Sequence, residues 1–557
     1  MRKQVALLFA AVIGATLVVD AHAQTTSSPQ EPGGISGHVY RADTGAPLTA
    51  AFLSFLPTKA GDFRADFGAH ADRNGAYTID RLPPGAYVVQ AQAPGFVTAA
   101  YGEHGQGGAA EEIDLKPGEK LQNIDLKLLP DGVLSGTVFD STLRPIKGMR
   151  VDALHRAFYG GGSAALFENA TTKTDQLGRF RLAGLDPGSY YLQAAGHYGT
   201  FVTPSAKPGE ATYAATYYPS AVSISEAERV AVSAAEERSG IDIVLPEPMR
   251  TYTVRGTISN FERKQDGNDP YVTLSAAPET GDFSAPSETW TAVIQPNGSF
   301  AIPGVPPGDY FLGPYTYDSP PGGAIGSPVF IRDGDVTVNI TMQQPGEVKG
   351  KIVLDAGAGA ILFRLMVIHL LSADDGSAPM PVGFSSINED GGFDVPNVPP
   401  GLYHISVDVP WTSPNYLKQA QCAGVDYTTQ PLTIASGAMI RNCTLTIAND
   451  SGILGGQASI DDKPARKMEV VAIPQSRGLR RSPPFSRKAL RPTDADGRFV
   501  LVGLIPGDYF IFAVPEDPER GYFALDFADR NASCGEPITI NPHETKTISL
   551  KACLSPN

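Results

Sequence analysis

The chain has 557 residues, enough for three or four domains at about 150 residues each and for more if the modules are small. Hydrophobic residues are 42% and charged residues 18%, the balance of a chain that buries cores, so wholesale disorder is excluded. With 59 acidic against 44 basic residues the formal charge is −15, which speaks against a nucleic-acid binder or a binder of anionic lipid working through a basic patch.

Residues 1–23 read as an export signal. Arg2 and Lys3 give the positive start, Val5 to Val19 is almost wholly apolar, and Ala21-His22-Ala23 supplies small residues at a cleavage site. The apolar run is short for a membrane span, and Ile361 to Leu371 reaches only 11 residues and carries Arg364 and His369. The expectation is an exported protein, periplasmic, outer-surface associated or extracellular, with no membrane span in the mature chain.

Beyond residue 30 one spacing occurs five times without a gap: ADRNGAYTIDRLPPGAY (71–87), TDQLGRFRLAGLDPGSY (174–190), IQPNGSFAIPGVPPGDY (294–310), INEDGGFDVPNVPPGLY (387–403) and TDADGRFVLVGLIPGDY (493–509). Each has a Gly (Gly75, Gly178, Gly298, Gly391, Gly497) followed two residues later by Tyr77, Phe180, Phe300, Phe393 or Phe499. Ten residues after that Gly a Pro-Gly pair ends at Gly85, Gly188, Gly308, Gly401 or Gly507, and Tyr follows two residues on. Both glycine sets read as turns, and the alternating apolar residues between them read as strands with one face in a core.

Two further elements flank each window. Upstream is a strand with Gly between apolar positions, Ile35-Ser-Gly37-His-Val39 in the first copy. The fifth copy, aligned as Ile453-Leu-Gly455-Gly-Gln457, departs by placing Gln at an inward position. Downstream, Ile113-Asp-Leu115 and Ile124 to Leu128, joined through Pro117-Gly118, read as a closing hairpin. In the second copy Ser225 to Arg238 has helix-forming composition, but its counterpart contains Pro117-Gly118, so the repeat predicts strands there. The units are expected at 34–130, 131–248, 249–345, 346–449 and 450–557, each long enough for its own sandwich core.

The combination of Gly-x-Val, Asp140 with Pro145 (Asp43 with Pro47 in the first unit) and the Gly-x-aromatic…Pro-Gly-x-Tyr window resembles the carboxypeptidase regulatory-like domain. That family is transthyretin-like and close to the starch-binding and Cna-B-type folds. The resemblance implies an all-β linear array of about five small Greek-key, prealbumin-like sandwiches. It implies accessory modules rather than a catalytic domain.

No zinc-helix, nucleophile-elbow or phosphate-loop motif is present, so no catalytic residue, cofactor or metal is assigned. His104 and His197 read as loop histidines. Asp494-Ala-Asp496-Gly497 and Asp72-Arg-Asn74-Gly75 begin like calcium loops but lack the distal Glu, and a bare turn explains them. Lys349 or Lys351 with Asn442 or Asn449 is the pair that a Cna-B-type isopeptide bond would need, and these lysines read as solvated edge residues. Tyr213, Tyr217 and Tyr218, with Phe158 and Tyr159 beside Gly160-Gly-Gly162, are the candidate ligand contacts, because tyrosines stack on sugar rings. The functional expectation is a non-catalytic exported protein binding an extracellular glycan or surface polymer. Its alternative is a structural spacer or a partner of an envelope protein.

The four cysteines, Cys422, Cys443, Cys534 and Cys553, allow three connectivities. An exported chain favours disulfides, and the short spacings favour Cys422–Cys443 and Cys534–Cys553, each closing a local loop.

Overall fold

The computed structural model describes residues 31–57, 67–102, 110–158, 164–195, 211–260, 270–277, 282–283, 289–315, 327–355, 363, 366, 367–373, 381–409, 415–466, 468–480, 490–517 and 519–554. Residues 1–23, expected to be an export signal, and Tyr159 to Gly162, His104 and His197 lie outside them. Among the described residues α-helix is confined to the single turns Arg477–Arg480 and Phe527–Arg530, and strands supply nearly all other regular structure.

The first unit shows the plan. Its strands are β1 (Gly33–Arg41), β2 (Phe52–Pro57), β3 (Phe67–His70), β4 (Ala76–Leu82), β5 (Gly85–Gln92), β6 (Ala99–Ala100), β7 (Ile113–Leu115), β8 (Lys120–Leu121) and β9 (Leu126–Leu128). One sheet holds β4 antiparallel to β1, with β8 and β9 running parallel to β1 on its other edge. The other holds β3, β2 and β5, with β6 and β7 along the far edge of β5. Alternate residues of both sheets meet in one core that includes Ile35, Val39, Leu53, Phe55, Tyr77, Val89, Leu115 and Leu126. Four more paired sheets enclose four more cores of the same kind. The described residues form an array of five β-sandwiches.

Two expectations are corrected by this topology. The closing hairpin is not a hairpin: β7 pairs with β5 in one sheet, while β8 and β9 pair with β1 in the other. The Pro117-Gly118 turn carries the chain across the sandwich, and Ile113, Leu115, Leu126 and Leu128 enter one core from opposite sides. In the second unit Ser225 to Arg238 likewise forms no continuous helix. Arg229–Val232 joins one sheet and Glu237–Arg238 the other, after a single 3-10 turn at Ile224–Glu226.

The second correction is one of register. Gly37, Gly136, Gly256 and Gly350 lie opposite Tyr77, Phe180, Phe300 and Phe393. In the fifth unit it is Gly456, not Gly455, that faces Phe499. The inward residues are therefore Leu454 and Ala458, both fully buried, and Gln457 points out. The anomaly vanishes. The reason for Gly is a close backbone approach: a Cβ on Gly136 would lie 1.9 Å from the Ile241 carbonyl oxygen, and one on Gly456 would lie 2.4 Å from that of Ile548.

Candidate functional site

The repeated window builds two turns by different means. In the first, a carboxylate organises the backbone: Asp72 Oδ1 accepts from the amides of Asn74 (2.7 Å) and Ala76 (2.9 Å). Asp175 Oδ1 does the same for Leu177 and Arg179, and Asp494 Oδ1 for Asp496 and Arg498. The glycine three residues on sits at positive φ in all five units, between +71° and +83° (Gly75, Gly178, Gly298, Gly391, Gly497). These amide bonds hold the Asp175 carboxyl below the usual aspartate range. The calcium-like residues thus act as turn formers, with Oδ1 already engaged by two backbone donors.

The second turn is a tyrosine corner. Tyr87, Tyr190, Tyr310, Tyr403 and Tyr509 each donate their phenol to the carbonyl four residues earlier, at 2.7–2.9 Å: Pro83, Asp186, Pro306, Pro399 and Ile505. Each ring folds back over the glycine two residues before it. A Cβ on Gly308 or Gly401 would stand 2.9 Å from the phenol oxygen of Tyr310 or Tyr403. Gly85, Gly188, Gly308 and Gly401 are not at positive φ. At Gly308 and Gly401 the overlying ring leaves no room for a side chain, whereas at Gly85 and Gly188 an added Cβ would meet the ring only at 3.9 and 3.8 Å, an ordinary contact. Burial pushes the phenols of Tyr87, Tyr190 and Tyr509 up, so they remain protonated donors.

The candidate tyrosines of the second unit do not form an exposed platform. Tyr217 is 6% exposed and belongs to a small second core with Leu154, Leu166, Tyr191 and Ile224, on the outer side of the sheet. Tyr213 and Tyr218 are half-buried against the main core of the unit. The Thr216–Tyr217 strand pairs with Gln193 and Ala194, and the Tyr218 amide donates to the Leu192 carbonyl at 2.9 Å. The segment acts as a cover for the sheet.

The fifth unit covers the same outer side differently. Tyr522, Phe527 and Ala528, from the segment between Gly507–Pro515 and Glu536–Ile540, pack on Val471, Phe512 and Val514. Arg480, 7% exposed, fixes this cover through Asp529 Oδ2 (3.0 Å) and the Leu525 carbonyl (2.9 Å). Cys534 and Cys553 are joined beside it. In the fourth unit the corresponding segment is diverted to the other sheet. Tyr416–Cys422 pairs there with Met439–Ala448, and Cys422 is joined to Cys443, its direct cross-strand partner.

Lys349 Nζ lies 2.6 Å from Glu347 Oε1 and 3.0 Å from Asp394 Oδ2, and Lys351 Nζ lies 4.0 Å from Asp390 Oδ2. Both amines thus engage carboxylates rather than Asn442 or Asn449. Among the described residues no group of three or more His, Cys, Asp or Glu is gathered as a metal cage would be.

Sandwich plan, positive-φ turn glycine and tyrosine corner together define a tandem array of prealbumin-like β-modules. The family model of the carboxypeptidase regulatory-like domain matches residues 34–128 and 133–246, the first two modules. Among solved structures, the minor pilin GBS52 of Streptococcus agalactiae is 16% identical, over 38% of this chain and 95% of its own, with a TM-score of 0.22. A streptococcal ancillary pilin is 12% identical over 56% and 99%, with a TM-score of 0.19. The shaft pilin SpaA of Lactobacillus rhamnosus GG is 13% identical over 39% and 97%, also at 0.19. No curated protein matches the chain.

Proposed function

We propose that the chain is a non-catalytic structural protein of the cell envelope, exported by residues 1–23 and built as a spacer of five modules at 34–130, 131–248, 249–345, 346–449 and 450–557. The observation that carries this reading is repetition of structure without repetition of a site. The five modules share a core plan, a positive-φ turn glycine and a tyrosine corner. Of the strongly shifted buried phenols, Tyr77, Tyr190 and Tyr509 donate to backbone carbonyls that close the fold, while Tyr416 donates to the Asp450 carboxylate. The loops and covering segments differ from module to module, as expected where a shared scaffold presents different surfaces. Two disulfides support an oxidising compartment and strengthen the last two modules.

The alternative partner, an extracellular glycan, would need an accessible aromatic face, and Tyr217 is not accessible as it stands. Retention of the full chain on insoluble polysaccharides separates the two readings. A spacer passes through unretained. Saturable retention that falls on Tyr213→Ala plus Tyr218→Ala would replace the spacer reading with the glycan one.

A further inference from the structure

The second and fifth modules touch, although residues 229 and 519 lie 290 positions apart in sequence. Arg229 of the second module has its Nη1 paired with Glu519 Oε1 of the fifth. Its Nε donates to the Tyr191 hydroxyl at 3.0 Å, and its guanidinium lies 5.2 Å from the Tyr191 ring centre. The amide of Phe158, at the end of strand Arg150–Phe158, donates to the Glu519 carbonyl at 2.7 Å. Glu519 thus contributes both its side chain and its backbone to the second module.

The turn that presents Glu519 is built for that position. Asp517 Oδ1 accepts from the Glu519 amide at 2.9 Å and Oδ2 from the Gly521 amide at 2.6 Å. The Asp517 carbonyl accepts from the Arg520 amide at 2.9 Å, with Arg520 held at φ +53°. A non-glycine residue in the left-handed region is uncommon and persists where its surroundings fix it. The turn is anchored next to Tyr522, which is 2% exposed in the outer core of the fifth module.

We propose that modules two to five close into a ring in solution, clasped by Glu519 of the fifth module, which Asp517 and Arg520 hold in place, against Arg229, Tyr191 and Phe158 of the second. In the closed ring four of the five modules fold back on one another, and the extended spacer is the opened form. Arg229 and Glu519 keep 40% and 30% of their side-chain surface exposed, so the ion pair is weak and screened by salt. It is effective because the partners are tethered in one chain and meet at high local concentration. A clasp of this strength opens and recloses readily, and in the open form it frees the Arg229–Tyr191 face of the second module.

Small-angle scattering of the full chain, at low salt and with mass measured in parallel, tests the ring. A monomer is expected whose maximum dimension grows by at least one module, on the order of 30 Å, when Arg229→Glu is introduced. The double exchange Arg229→Glu plus Glu519→Arg should restore the compact dimension. Hydrogen exchange gives a second reading: the Phe158 amide should exchange faster in Arg229→Glu while the core amides of the second module stay protected. An already extended wild type, a dimension and a Phe158 exchange rate both indifferent to Arg229→Glu, or a doubled mass showing the contact between copies, would each overturn the proposal.

Discussion

The phenol of Tyr403 donates a 2.8 Å hydrogen bond to the carbonyl of Pro399, and its ring lies over Gly401, whose added Cβ would meet the phenol oxygen at 2.9 Å. This corner ties the crossing between the two sheets of the fourth module to the strand that follows it. Tyr403 is 1% exposed, while Pro399, whose carbonyl accepts the bond, is half-buried.

Replacing Tyr403 by Phe keeps the ring and removes only the bond. The expected cost is about 1 kcal/mol, read by calorimetry as a fall of roughly 4–8 °C in the transition of that module. Equal transitions for the two proteins would show that the corner contributes nothing.

The register of the fifth module gives a sharper contrast. A Cβ at Gly456 would meet the Ile548 carbonyl oxygen at 2.4 Å and the Phe499 ring at 2.7 Å, whereas at Gly455 the nearest atom is 3.8 Å away. Gly456→Ala should therefore destabilise the module by about 3 kcal/mol, while Gly455→Ala changes little. The reverse order in denaturant titrations would restore the original alignment.

The fold was legible because period-2 burial and a fivefold window constrain each other. Repetition outweighed the helical composition of Ser225 to Arg238, where Arg229–Val232 and Glu237–Arg238 form strands after a single 3-10 turn. Alternation tells which residues face inward but not to which sheet a strand belongs. For that reason β7 and β9 looked like one hairpin although they lie on opposite sides of the core. Gly455 and Gly456 are adjacent and alike in sequence, and only the pairing of Gly456 with Phe499 on the neighbouring strand shows which of them faces the ring. The tyrosines at 213, 217 and 218 were legible as a cluster, yet aromatic residues cover a sheet as readily as they bind a ring. Arg229 and Glu519 carry no local signal, since their contact depends on how distant modules meet.

Stability should fall with acid in two stages. Burial lowers the pKa of His404, and burial with Arg520 nearby lowers that of His155, against an ordinary value of 6.5. Below about pH 6.5 the unfolded chain takes up these protons and the folded chain resists, so stability is lost as pH falls. Asp140 and Asp175 are held below 3.8 chiefly by backbone amides, so what they contribute is present above that value and lost as pH falls further. Thermal melts from pH 7.5 to 3 should show both stages, and His404→Gln should flatten the first for the fourth module. A stability that rises between pH 7 and 5 would contradict this assignment.

Each disulfide should contribute on the order of 3 kcal/mol, by closing loops of 21 and 19 residues in the unfolded chain. Cys422→Ser with Cys443→Ser should lower the transition of the fourth module and leave that of the first unchanged. Mapping of non-reduced peptides should yield 422–443 and 534–553 links, and a 422–534 link would break the local pattern.

Five sandwiches, each with its own core, should unfold one at a time when a single full-length chain is pulled by its two ends. Five separate unfolding steps are expected, each releasing roughly 300 Å of chain at about 3.5 Å per residue. In two of the five the release should lengthen by ~70 Å after reduction, as the loops closed by Cys422–Cys443 and Cys534–Cys553 are freed. One cooperative step for the whole chain, or five steps indifferent to reduction, would contradict the account.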